Sequence, residues 1–370
     1  MDHRPIPAAE GPAHLGELAA LFFRLGATSF GGPAAHIALM EDAIVARRGW
    51  VSREEFLDLL GAANLIPGPN SSELAMHLGW RRAGGAGLVI AGIAFILPAA
   101  VITAMFAWIY VRLGTLPAMA GPLAGVRAAV LAVIAAAIWR LGKTAIKTRT
   151  LAVAAALVLA AALLGGNELM LLLGGGVIGA CWIAGFPRVG RGASLKVVEP
   201  NLLGLGLYFL KIGSILYGSG YVLVAFLEGG LVERLGWLTR PQLVDAIAAG
   251  QFTPGPVLST ATFVGYLVLG WPGALVATLG IFLPSFLLVA ATVRLVSRLR
   301  RSPWTSAFMD AVNVSALALM VAVALHLAST ALGGPATWGI AAIALLVLTR
   351  WTVNPGWIVL GGLLVGALLP

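Results

Sequence analysis

Apolar runs such as "AGLVIAGIAFILPAAVITAMFAWIYV" and "LAVAAALVLAAALLGG" confine this chain to a bilayer. They are long enough, or nearly so, to cross a hydrocarbon core of roughly 30 Å as helices rising 1.5 Å per residue. Runs of this kind recur to the last residue and leave no room for a soluble domain. With 59% hydrophobic residues, 11% charged and a mean hydropathy of +0.95, the expectation is an all-α, multi-pass membrane protein. The net charge of +9 is spread thinly between apolar segments and forms no stripe interleaved with aromatics. Basic cytoplasmic loops account for it, and nucleic acid is not expected as a partner. Cys181 alone forms no internal disulfide. The short polar tail 1–14 precedes an apolar segment that contains Arg24 and lacks a clear cleavage site, so an uncleaved first element is expected.

The chain is a tandem duplication. Pro254 minus Pro67 gives an offset of 187, which aligns "FRLGATSFGGP" with "LKIGSILYGSG". The same register carries Glu41 to Glu228, Gly49-Trp50 to Gly236-Trp237, Arg53 to Arg240, Asp58 to Asp245 and Ser72 to Ser259. After one deletion, "FILP" ending at Pro98 meets "IFLP" ending at Pro284. The expected organisation is a tail (1–14), a first repeat (15–186), a basic linker (187–201) and a second repeat (202–370), with some ten to thirteen crossings. The cluster Arg140, Lys143, Lys147 and Arg149 follows the fourth segment of its half. Arg294, Arg298, Arg300 and Arg301 follow the third segment of theirs. If both are cytoplasmic, the repeats are inverted, as in many secondary transporters whose substrate sits at the repeat interface. A parallel pair stays open, because one miscounted segment reverses the parity.

Pro-Gly-Pro occurs once in each half, in "NLIPGPNSSEL" and "QFTPGPVLSTA". Each removes two backbone donors and breaks any helix passing through it. Backbone groups freed inside a membrane persist only where protein or a water-filled cavity satisfies them. A half-helix starting after Pro69 would aim its N–H groups and positive dipole end at the break. Asn64, Asn70, Ser71 and Ser72 crowd that point, and Gln251, Thr253, Ser259 and Thr260 crowd the second. Two such ends meeting at a pseudo-twofold axis would form an anion site from Pro67, Gly68 and Pro69 with Pro254, Gly255 and Pro256. A simple proline kink is the competing reading of either motif alone. Gly31-Gly32 and Gly218 with Gly220 either expose backbone N–H groups or let helices approach closely.

Intramembrane charge points to function by default. Arg24 and Lys211 are equivalent cations ahead of the glycine motifs, suited to a dianion or else snorkelling to the interface. Arg127, whose counterpart is Asn313, is a substrate or gating residue or is paired with an acid. Glu73, whose counterpart is Thr260, would repel an anion if ionised. It is therefore expected to be protonated or paired with Arg24 or Arg127, with proton coupling left open. His36 and His77 are too isolated for a metal site, no cofactor is implied, and neither a Walker loop nor a G-x-S-x-G elbow is present. The mixed-charge connections "EDAIVARRGWVSREEF" and "EGGLVERLGWLTRPQL" read as interfacial helices anchored by Trp50 and Trp237.

These paired stretches, from "FFRLGATSFGGP" to "MHLGW" and from "FLKIGSILYGSG" to "TFVGY", resemble the chromate ion transporter family in its long-chain, two-domain form. The likeness covers nearly the whole chain. It implies a secondary carrier of the inner (plasma) membrane that exports chromate and confers resistance to it, with sulfate as a competing oxyanion. The implied pathway is Arg24, Gly31, Gly32, Pro67, Gly68, Pro69, Asn70 and Glu73, with Lys211, Gly218, Gly220, Gln251, Pro254, Gly255 and Pro256. A homodimer is among the partners considered, beside the lipid bilayer. Charge movement is worth about 2.3 kcal/mol per 100 mV, so a dianion gains roughly twice that on leaving an inside-negative cell, whatever the name. A sulfate or other anion permease is the alternative. A membrane-embedded enzyme or assembly factor would want a constellation of acids, His or Cys that is not found.

Overall fold

The computed structural model describes residues 12–30, 33–64, 66–114, 116–166, 170–172, 174–175, 199–216, 222–293, 303–351 and 353–368. Gly31, Gly32, Gly218, Gly220, Cys181 and the second basic cluster lie outside them. Among the described residues the protein is helical, without strands. The first copy contains α1 (Pro12–Thr28), α2 (Pro33–Met40), α3 (Arg53–Ala63), α4 (Asn70–Leu113), α5 (Ala120–Ala145) and α6 (Arg149–Leu163). The second contains α7 (Leu202–Ile215), α8 (Leu223–Leu227), α9 (Arg240–Phe252), α10 (Thr260–Thr292), α11 (Pro303–Ala331), α12 (Pro335–Arg350) and α13 (Pro355–Gly366). Residues 70–113, 120–143, 257–292 and 310–331 are long and apolar enough to cross a membrane, and four shorter apolar helices accompany them.

The mixed-charge connections are not the continuous interfacial helices expected. In each, a π-helical turn (Glu41–Ala46, Glu228–Arg234) ends at a glycine in the left-handed region, Gly49 at φ +58° or Gly236 at φ +63°. A new helix then starts. Ser52 accepts from the Glu55 N–H to cap α3, and Thr239 and Gln242 form a capping box on α9. Trp50 stacks under the guanidinium of Arg82, 4.9 Å from the ring centroid.

Neither α4 nor α10 is one straight helix. Each reverses at a non-helical pair, Ala83-Gly84 in the first copy and Leu269-Gly270 in the second. The reversal folds a short arm back along a long one, so closely that a Cβ at Gly79 would overlap the Gly87 carbonyl and one at Gly265 the Gly273 carbonyl. Thr262 and Thr278 share a 2.7 Å hydrogen bond across the second hairpin. Arg81, at the end of the short arm, bonds Glu55 at the start of α3. Thus α3 and the short arm of α4 enter and return to one face, with Pro-Gly-Pro at the tip, and the long arm then crosses. Gly265→Leu should destabilise the protein by about 1–3 kcal/mol through overpacking, read as a lower melting temperature in detergent. Gly333→Leu, with nothing within 4 Å of an added Cβ, should leave that temperature unchanged.

The two long arms run antiparallel. From Ala99 to Tyr110, the arm of α4 passes from the second Pro-Gly-Pro tip, at Gly255, to Asp245 near the start of α9. Along the way Thr103 meets Thr253 and Phe106 stacks on Phe252. The arm of α10 reaches the first tip in the corresponding way, with Ser285 at Gly68, and packs on the arm of α4 with Phe286 against Gly92. A pseudo-twofold axis perpendicular to the arms therefore relates the copies, a geometry that fits inverted repeats. Lys147 pairs with Asp310 at 2.8 Å, which joins the first basic cluster to the beginning of α11. Around this centre α5 packs against α11, α12 and α13, and α11 also packs against α6. Small residues set the closest approach, Gly121 and Gly125 against Gly362 and Gly366.

Candidate functional site

The two copies cross at their Pro-Gly-Pro tips, each of which is completed by the other copy. Gly68 N–H donates to the Leu216 carbonyl at 2.7 Å, and Gly255 N–H donates to the Ser29 carbonyl at 2.8 Å. Leu216 and Ser29 are themselves 187 apart, so the two bonds are equivalents under the pseudo-twofold. Both glycines have positive φ, +143° at Gly68 and +87° at Gly255. Glycine is also required sterically at Gly68, where a Cβ would overlap Glu73 Oε1 and Ser285 Oγ. All six Pro-Gly-Pro residues are buried. The backbone freed by the prolines is thus met inside protein rather than by lipid.

Polar side chains from both copies gather at the crossing. Asn70 Nδ2 donates to Asn64 Oδ1 at 2.5 Å, closing the first loop from its exposed side. Ser71 Oγ lies 3.2 Å from His36 Nδ1, whose Nε2 lies 3.1 Å from the Ser29 carbonyl, the same oxygen that accepts from Gly255. Thr103 Oγ1 is 3.2 Å from both Thr253 Oγ1 and Ser259 Oγ. Gln251 is buried at the end of α9. Glu73 is fully buried on the first turns of α4; its Oε1 accepts from Ser285 Oγ at 3.1 Å, and its Oε2 has no hydrogen-bond partner among the described residues. No side chain caps the half-helix that starts at Asn70.

The charges are distributed differently from the simplest sequence expectation. Arg127 is bound to Asp245 by a two-pronged ion pair, Nε to Oδ1 at 2.8 Å and Nη2 to Oδ2 at 2.6 Å, and Tyr110 donates to Oδ2 at 2.7 Å. The side chain of Asp245 is 2% exposed and that of Arg127 25%. Arg127 is thus paired with an acid, and the acid is Asp245 rather than Glu73. Arg24 and Lys211 lie on exposed faces of α1 and α7, so the structure does not bring their side chains to the tips. Residues that sequence reasoning missed are Ser285, Thr103 and Tyr110. Asp245 had one signal, its alignment with Asp58.

The two re-entrant hairpins are unequally covered. In α9, Leu243 through Ala248, Gly250 and Gln251 are all buried. In α3 only Phe56, Ala62 and Ala63 are, and Asp58 and Asn64 are exposed. The Arg127–Asp245–Tyr110 cluster lies on the covered side. Beyond it, Arg240 bridges Glu228 at 2.9 Å and Glu233 at 3.1 Å, near His326. Burial raises the Glu228 carboxyl above its usual range. The guanidinium supplies the counter-charge to both acids. The first copy repeats the pair as Arg53 with Glu41 at 3.1 Å, which marks it as structural.

The family described as Chromate transporter matches residues 16–180 and again 203–367. Among curated proteins, a "Probable chromate transport protein" of Synechococcus elongatus is 34% identical, with 90% of each chain covered. A chromate transport protein of Cupriavidus metallidurans is 31% identical over 98% of this chain and 96% of its own. One from Pseudomonas aeruginosa is 30% identical over 87% of this chain and 83% of its own. No solved structure matches the chain significantly.

Proposed function

Because the chain belongs to the chromate transporter family, we propose that it carries chromate outward across the inner membrane, through the crossing of its two Pro-Gly-Pro tips. The observation that carries this reading is the reciprocal pair of backbone bonds, Gly68 to Leu216 and Gly255 to Ser29. Each bond joins a tip of one copy to the end of a helix of the other, at the repeat interface, where carriers of inverted design hold their substrate. The donors available to an oxyanion are the half-helix starting at Asn70, with Asn64, Ser71 and Ser72, and Gln251, Thr253 and Ser259 from the other copy. Arg24 and Lys211, on their exposed faces, raise the local concentration of anions without touching them at the crossing.

Movement follows from the unequal hairpins. The α9 hairpin is docked and latched by Arg127 to Asp245, while the α3 hairpin carries Asp58, the equivalent of Asp245, on an exposed face, and the counterpart of Arg127 is Asn313. Exchange of the docked and undocked hairpins exposes the crossing first to one side and then to the other. A dianion driven by an inside-negative potential runs outward without a coupled ion, since two charges contribute about 4.6 kcal/mol per 100 mV.

The test is uptake of labelled chromate into everted vesicles energised inside-positive, with and without excess sulfate. Accumulation above empty vesicles is expected, with inhibition by sulfate. In Arg24→Gln/Lys211→Gln it should fall by roughly tenfold at low ionic strength and less at high salt. No accumulation by the wild type would overturn chromate export and leave the permease of sulfate or another anion.

A further inference from the structure

The two tips are equivalent in backbone but not in side chains. Glu73 corresponds to Thr260, Ser71 to Leu258 and His36 to Leu223 at the offset of 187, and Ser285 corresponds to Ala99 after the one-residue deletion. Every one of these differences places the polar partner at the first tip. The centre therefore holds its ionisable groups at the first tip, whereas the second has the hydroxyls of Thr103 and Thr253 where the first has Val289 and Ile66. Its most buried polar atoms include Glu73 Oε2, Ser72 Oγ and both ring nitrogens of His77, none of which has a hydrogen-bond partner among the described residues.

Glu73 is the anomaly in a pathway for anions. It is 0% exposed and crowds Gly68. What touches it is Ser285 from α10 and Gly68 from the loop. No described cation contacts it: Arg127 is committed to Asp245, and Arg24 is exposed. A carboxyl and an oxyanion attract each other only when one proton lies between them. Either the acid donates to the anion, or the carboxylate accepts from an X–OH group. Tetrahedral oxyanions differ in their fitness for that bond. Chromate, phosphate and arsenate are bases that hold or share a proton near neutrality, whereas sulfate and selenate are conjugate bases of strong acids.

We infer that Glu73 is the specificity-determining residue of the crossing, selecting oxyanions that share a proton with its free oxygen and so favouring chromate over sulfate. The inference deepens the proposed function and rests on it for the location of the substrate. One proton sits in the Glu73–oxyanion bond for each anion bound; no covalent bond forms or breaks. Thr260 gives the second tip no such group, so selection belongs to the first.

The test compares arsenate with selenate, nearly equal in size and both dianions at slightly alkaline pH, where only arsenate carries a proton. Binding is read as the anion-dependent rise in melting temperature of the purified full chain in detergent, a measurement that needs no transport. Competition against labelled chromate in proteoliposomes is the second readout. The wild type should prefer arsenate over selenate, and chromate over sulfate, by about ten- to hundredfold, the worth of a hydrogen bond to a charged group. In Glu73→Gln, whose amide donates and accepts but shares no proton, each ratio should fall to within about threefold. Equal binding of arsenate and selenate by the wild type would overturn the inference even if Glu73→Gln failed to fold, as would unchanged ratios in a folded variant. Arsenate preference without chromate movement would instead keep the selecting role and reject the transport reading.

Discussion

Gly68→Ala is expected to reduce chromate transport ten- to hundredfold or more while leaving the protein in the membrane. At φ +143° an alanine is strained, and its methyl group would overlap Glu73 Oε1 and Ser285 Oγ. Relief requires the tip to shift, which breaks the Gly68 bond to Leu216. Strain of about 1–3 kcal/mol at such a position corresponds to roughly ten- to hundredfold in an equilibrium. Gly49→Ala is the matched control, since φ there is +58° but nothing lies within 4 Å of an added Cβ. It should lower the melting temperature slightly and leave transport near normal. Vesicle transport normalised to protein level decides the matter, and wild-type rates in Gly68→Ala would remove the first tip from the pathway.

Asp245→Asn should be among the most destabilising single changes in the protein. It keeps a partner for Tyr110 but leaves the Arg127 guanidinium, with only 25% of its side chain exposed, without its counter-charge. Breaking a buried pair from one side costs about 3–5 kcal/mol, a fall in melting temperature on the order of 5 °C or more. Replacing both members, Arg127→Leu with Asp245→Leu, should recover most of that loss, because the penalty lies in the stranded charge rather than in the absence of the bridge. A double variant as unstable as the single one would show that the cluster is held for its packing.

The apolar runs and the offset of 187 made the membrane class, the repeat and the two breaks legible, because each is a local property of composition or spacing. The reversal at Gly84 and Gly270 was not legible. The runs around it stay apolar, and only the φ of one glycine distinguishes a hairpin from a continuous helix. The same glycine chemistry at Gly49 and Gly236 turned an expected interfacial helix into a capped new start. Contacts across the axis were hidden for another reason. Arg127 and Asp245 stand 118 positions apart, and Glu73 and Ser285 stand 212 apart. No periodicity reaches that far. The candidate residues at the tips were named from their neighbours in the chain, whereas their partners came from the opposite copy.

The exchanged bonds at the tips also impose an order of events on biogenesis. When the first hairpin leaves the translocation machinery, the acceptor for its Gly68 N–H is still 148 residues away in the nascent chain, at Leu216. Its break must wait, wetted or shielded by other proteins, until α7 has been inserted. Neither copy can mature by itself. A chain cut between the repeats would need its two pieces to meet in the bilayer before either break could close.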